Sequence, residues 1–161
     1  VRGSHRRRTA FSLIELTVVI LILGIVAAVA QPRYAAALAA FRLDSAAQRV
    51  AQDLQWASTR ARVSSKPVLI RFHDDAPEAF YRFDKLADPL NPAAAMNPAD
   101  SSTWYTVDLT QEPYAVWLSA NADLTFDIHG RCDQDALIVL SLGAESRTVR
   151  WNAASGELII E

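Results

Sequence analysis

Residues 11–30 read FSLIELTVVILILGIVAAVA, and within these twenty residues Glu15 is the only ionisable side chain. At about 1.5 Å of rise per residue, such a run makes a helix of roughly 30 Å, the thickness of a bilayer's hydrocarbon core. Immediately before it stand Arg2, Arg6, Arg7 and Arg8 with no acid among the first ten residues. Basic residues flanking a span stay on the cytoplasmic side, so everything after Ala30 is expected to lie outside. All eighteen acidic residues and the other twelve basic ones follow the leader, so the rest of the chain is acidic although the whole carries only −2. That balance speaks against a nucleic-acid partner. With 161 residues, 51% of them hydrophobic and 21% charged, the chain has material for one packed domain beyond the span and is not a disordered protein. Cys132 is its single cysteine, so no intrachain disulfide can form.

Three fates are open to the apolar run. A secretory signal would be cut after it, where Ala28-Val29-Ala30 offers a small-residue site. A plain anchor would keep it whole. The third fate turns on Glu15: a carboxylate five residues into a span costs about 3 kcal/mol on insertion scales, which marks it as functional unless it merely reaches the headgroups.

The segment Ala10-Phe11-Ser12-Leu13-Ile14-Glu15-Leu16, behind its basic leader, resembles the type III signal of type IV pilins and type II secretion pseudopilins. The resemblance implies cleavage by a prepilin peptidase between Ala10 and Phe11 and methylation of the new Phe11 amine, with the helix retained. Ala10 stands where the family usually has glycine. The family's stem helices also commonly carry a glycine and a proline where Gly24 and Pro32 stand. Within such an assembly, Glu15 of one subunit would meet the Phe11 amine of its neighbour. Low dielectric makes that pair strong and its absence costly, so it would set the stagger between stems. Gly24 and Pro32 weaken the helix locally, which would let the stem bend or partly melt in a filament; for Pro32 the alternative is a simple membrane-exit kink.

From Arg33 onward the chain stays helix-prone, and Leu43, Ala47, Val50, Leu54, Ala57 and Ala61 follow a 4-3-4-3-4 spacing. Arg42, Arg49, Asp53 and Arg60 are expected off that stripe, with Arg49 and Asp53 one turn apart. Arg60, Arg62 and Lys66 read as a solvated helix end rather than a nucleic-acid patch, and Trp56 as packing. Pro67 closes the pattern.

Beyond Pro67 the period becomes two. A hairpin is expected from residues 68–73 and 79–83, then a long surface loop over residues 85–102, then strands at 103–109, 115–118, 124–128, 136–142, 146–151 and 157–161. The last three form a meander, in an antiparallel sheet packed on the amphipathic helix. Leu124-Thr125-Phe126-Asp127-Ile128-His129-Gly130-Arg131 and Arg147-Thr148-Val149-Arg150-Trp151 with Gly156-Glu157-Leu158-Ile159 resemble the head of GspH/FimT-type minor pseudopilins.

Asp127, His129, Asp133 and Asp135 crowd around Gly130-Arg131-Cys132. They lack the spacing of an EF-hand loop and read as turn residues. His73 beside Asp74 and Asp75 reads as a solvated hairpin tip, and Cys132 as a packing residue. No nucleophile, phosphate-binding or zinc motif is present, so no catalytic residue, cofactor or metal is expected and the chain is not read as an enzyme.

The expected architecture is α+β and pilin-like: a basic leader (1–10), a transmembrane and assembly helix (11–31), an amphipathic helix (32–66) and a β-rich periplasmic head (67–161). The resemblance implies a minor pseudopilin of a type II secretion system. Its partners would be other pseudopilins in a periplasmic filament, prepilin peptidase, the inner membrane and secreted cargo. The alternative is a minor pilin of a type IV pilus, serving fibre priming or DNA uptake.

Overall fold

One helix, α1, runs unbroken from Leu13 to Ser64. We describe a computed structural model, covering residues 12–74, 79–84, 86 and 104–161. Helix formation over such a length follows from its composition, which is mostly alanine, leucine and other good helix formers with one glycine and one proline. Its first turn closes when the Leu16 amide donates to the Ser12 carbonyl at 3.1 Å. At the other end Ser65 adopts a left-handed φ of 50°, and its amide donates back to the Arg62 carbonyl. Pro67, two residues on, prevents continuation. The expected stop near Ser64 is therefore met by local chemistry.

Among the described residues eight strands follow: β1 Val68–His73, β2 Phe80–Phe83, β3 Thr106–Asp108, β4 Trp117–Ala120, β5 Leu124–Phe126, β6 Ala136–Leu142, β7 Glu145–Trp151 and β8 Leu158–Ile160. Their ladders are antiparallel. Where one sheet was expected, the strands form two four-stranded sheets, ordered β3-β2-β1-β5 and β4-β6-β7-β8. The anticipated hairpin is β1–β2, with Ile70 opposite Phe83 and His73 opposite Phe80. The anticipated meander is β6–β7–β8, with Ile138, Val149 and Ile160 in one row. Gly143, at φ 63°, is the first of two residues joining β6 to β7, the position at which a II′ connection requires positive φ.

Strand boundaries differ from the sequence reading where turn chemistry intervenes. β4 starts at Trp117 rather than at residue 115 because Ala115 takes a φ of 52° and its amide closes a turn on the Gln111 carbonyl. β5 stops at Phe126 because Asp127 already belongs to a tight turn, its amide donating to the Arg131 carbonyl and its own carbonyl accepting from Gly130. The loop expected over residues 85–102 lies outside the described residues, Leu86 excepted.

The chain divides into two units, residues 1–38 and 39–161. In the second, the expected stripe of α1 is the buried face: Leu43, Ala47, Ala57 and Ala61 are fully covered, with Val50 and Leu54 nearly so. Small alanines let the helix lie close to the inward-facing Tyr81, Phe83, Phe126, Leu118, Ile138 and Leu140, which are also buried. Trp56 packs edge-on against Phe83 and Tyr105, at centroid distances of 5.1 and 5.9 Å. It is a packing residue, as expected.

Candidate assembly and processing site

Of the residues the sequence singled out, Ala10 and Phe11 lie outside the described residues. Glu15 sits in the first turn of α1, exposed, among side chains of which Leu13 and Ile14 are 80% and 70% exposed. From Leu13 to Ala30 every residue is exposed, so the apolar surface goes all round the helix. Such a surface is inconsistent with water as the final surroundings. This is a helix long and apolar enough to cross a membrane. Glu15 is the only charge it presents before Arg33.

A Cβ added to Gly24 would meet nothing within 4 Å, so no packing inside this chain demands glycine there. α1 continues through both Gly24 and Pro32 without a break in its helical assignment. Any use of the two residues therefore depends on what packs around the helix.

The second unit holds a polar cluster built around Arg49 and Asp53, which the sequence reading placed off the buried stripe. Asp53, expected off the buried stripe, is only 8% exposed. Its Oδ2 accepts a hydrogen bond from the Tyr81 hydroxyl at 2.6 Å and pairs with Arg49 Nε at 3.1 Å. Arg49 Nη2 also bonds the Tyr105 hydroxyl. The i,i+4 spacing of Arg49 and Asp53 was legible, but the two tyrosines arrive from β2 and from the segment before β3. Burial raises the Asp53 carboxyl above its ordinary value against the pull of Tyr81 and Arg49. Burial opposes the Arg49 charge, yet Asp53 and the tyrosines outweigh it and hold the guanidinium above its usual range. Burial and then the Asp53 charge push the Tyr81 hydroxyl well up, so it stays a donor.

The acidic residues around Gly130 each fasten a loop. Asp127 Oδ1 accepts from the His129 and Arg131 amides, both at 2.8 Å, and these bonds hold its carboxyl below the usual range. Asp133 Oδ1 accepts from the Thr125 amide at 3.0 Å, and Asp135 Oδ1 from the Ala153 amide at 2.7 Å. Cys132 is buried beside Phe126, and burial raises its thiol. Gly130 touches α1 itself: the Ser58 hydroxyl donates to its carbonyl at 2.7 Å, and Arg62 lies alongside. Arg62 is thus more than a solvated cation, since its stem covers the turn. His73 stacks on Phe80 with ring centroids 4.7 Å apart, so its ring is a cross-strand partner as well as part of the hairpin tip.

Residues 5–30 match the family model described as the prokaryotic N-terminal methylation motif. No curated protein matches the chain in sequence. Two crystal structures of the type IV minor pilin FimU from Pseudomonas aeruginosa (strain PAO1) are similar to it, each with 17% identity. One, in space group P21, aligns over 74% of this chain and 87% of that one with a TM-score of 0.53. The other, in P65, aligns over 74% and 92% with a TM-score of 0.51. At that identity the likeness is one of fold. The architecture is α+β and pilin-like, with a prepilin-type methylation motif at its N-terminal end.

Proposed function

We propose that this chain is a membrane-anchored minor subunit of a type IV pilin-like filament, cut before Phe11 and held in the filament by its stem. The observation that carries the reading is the continuous helix Leu13–Ser64, whose lower part exposes apolar side chains all round a single carboxylate, inside a methylation motif. A plain anchor has no need of that acid, and a cleaved signal has no need of a helix that continues into the head. In the filament, Glu15 pairs with the Phe11 amine of the adjoining subunit, acting as a register device more than as a source of net stability. Prepilin peptidase and other stem-bearing subunits are the partners this chemistry requires. The amphipathic part of α1 carries the β-rich head on the periplasmic side. No step of this work calls for catalysis or a cofactor.

Two machines are built from such subunits, and a different observation favours each. The fold likeness to a type IV minor pilin supports a pilus subunit. The Leu124–Arg131 and Arg147–Ile159 segments, similar to GspH/FimT-type heads, support a type II pseudopilus subunit that contacts secreted cargo. Deleting the chain in its native host separates them: loss of surface fibres identifies the first, retention of exported proteins in the periplasm the second.

The mature N-terminus tests the shared reading. Mass spectrometry of the chain from native membranes should find an N-methylated peptide beginning at Phe11. A mature chain starting after Ala30 would overturn the proposal.

A further inference from the structure

We propose that the cleft between the last turns of α1 and the Gly130 turn binds an acidic peptide segment of a partner protein through its carboxylates. The cleft measures about 610 Å³. Ser58, Thr59 and Arg62 of α1 form one wall, and His129, Gly130 and Arg131 form another. Residues 153–156 of the β7–β8 turn and the indole of Trp151 complete it.

Charge sets this cleft apart. Beyond the first ten residues acids outnumber basic residues, yet two arginines and a histidine line the cleft, and among the described residues no aspartate or glutamate does. Arg62 has no ion pair among the described residues, and its Nε lies 2.8 Å from where a Cβ on Gly130 would stand. Arg131 is engaged on one nitrogen only, its Nε meeting Asp127 Oδ2 at 3.3 Å, and its side chain is 72% exposed. The acids nearby already hold backbone amides: Asp127 those of His129 and Arg131, Asp133 that of Thr125, and Asp135 that of Ala153. Arg62 also stands in the last turn of α1, where the helix end is negative. A bound anion is therefore held by the guanidinium groups and not by the helix.

Trp151 supplies a second, independent observation. It is 5% exposed, and its Nε1 is buried without a hydrogen-bond partner among the described residues. Buried donors are normally paired, so an unpaired one in the wall points to a ligand that brings acceptors. Forked guanidinium donors match the two oxygens of a carboxylate. Phosphate shares that chemistry, but the cleft is far larger than one such ion. The acidic balance of the chain beyond its leader also repels a nucleic-acid backbone. Gly130, Ala153, Ala154 and Gly156 keep the walls low, so a peptide main chain can come close while its acidic side chains reach the arginines.

The test uses the full-length chain in detergent, titrated with amidated hexaglutamate at low salt. The Trp151 indole N–H resonance, assigned with Trp151→Phe, should shift as the peptide binds, and amidated hexaglutamine should not move it. Arg62→Gln should weaken binding about tenfold, the worth of one charge-assisted contact. Thr59→Glu, which sets a carboxylate on the α1 wall, should weaken it as much, while Arg60→Gln, outside the cleft, leaves it unchanged. All three positions are exposed, so the thermal melt should stay where it is. Hexaglutamate that binds without moving the Trp151 resonance, as it would on the arginines of the leader, overturns the proposal. So does binding that survives both Arg62→Gln and Thr59→Glu, or inorganic phosphate or a single-stranded oligonucleotide binding more tightly than the peptide. None of these outcomes touches the filament reading, which stands or falls on the mature N-terminus.

Discussion

Gly130 is a residue at which the head presses directly on its helix. Its φ of 74° is left-handed, and a Cβ built there would lie 2.6 Å from the Ser58 carbonyl oxygen and 2.8 Å from Arg62 Cγ and Nε. Arg62 could swing aside, but the helix backbone could not. Gly130→Ala should therefore cost about 2–4 kcal/mol, the sum of an αL penalty and an overpacking strain, measured by chemical denaturation in detergent. Asp53 is the second sensitive residue. Asp53→Ala would strand Arg49 and the Tyr81 hydroxyl and should cost about 2–4 kcal/mol, whereas Asp53→Asn keeps an acceptor for Tyr81 and should cost less. The pH dependence has a definite sign. Burial raises the native carboxyl above its unfolded value, so the native state binds the proton more tightly. The stability this contributes is fully present below the ordinary carboxylate range and is lost as pH rises through the raised native value. Wild type minus Asp53→Asn, measured across that window, should therefore fall with increasing pH.

At the scale of elements, α1 serves different solvents along its length. Its lower part is apolar all round, and its upper part is buried on one stripe only. The apolar run, the change of pattern and the stop at Pro67 were all readable, because helix propensity, hydrophobic period and proline chemistry act within a few residues of one another. On the proposed reading Glu15 belongs to this scale, because its work would be done between helices. Glu15→Gln removes the charge while easing insertion, so the variant should remain in the membrane fraction while its incorporation into filaments drops about tenfold or more. Immunoblots of membrane and sheared-filament fractions would read the two effects separately. The strands were readable as apolar alternation, but their ends were not. Ala115 at φ 52° and the Asp127 turn trimmed two of them: an alanine does not announce a left-handed conformation, and Asp127 was legible as a turn residue but not as the point where β5 ends.

For the whole molecule, the decisive expectation is that processing leaves the chain in the membrane. A prepilin-type cut removes only the basic leader, so the mature chain should resist alkaline carbonate extraction and require detergent. A cut after Ala30 would release a soluble head. The sequence by itself determined the apolar run long enough to span a bilayer, the methylation motif over residues 5–30, the long helix and the α+β class, because these depend on interactions between near neighbours and on the match of helix length to bilayer thickness. Only the tertiary structure decided that the strands divide into two sheets, that Asp53 is buried between Tyr81 and Tyr105, and that Gly130 presses on Ser58 and Arg62. Those partners are separated by 28 to 72 positions along the chain. No local pattern encodes such pairings. They exist only once the inward faces of strands and helix have been closed over one core.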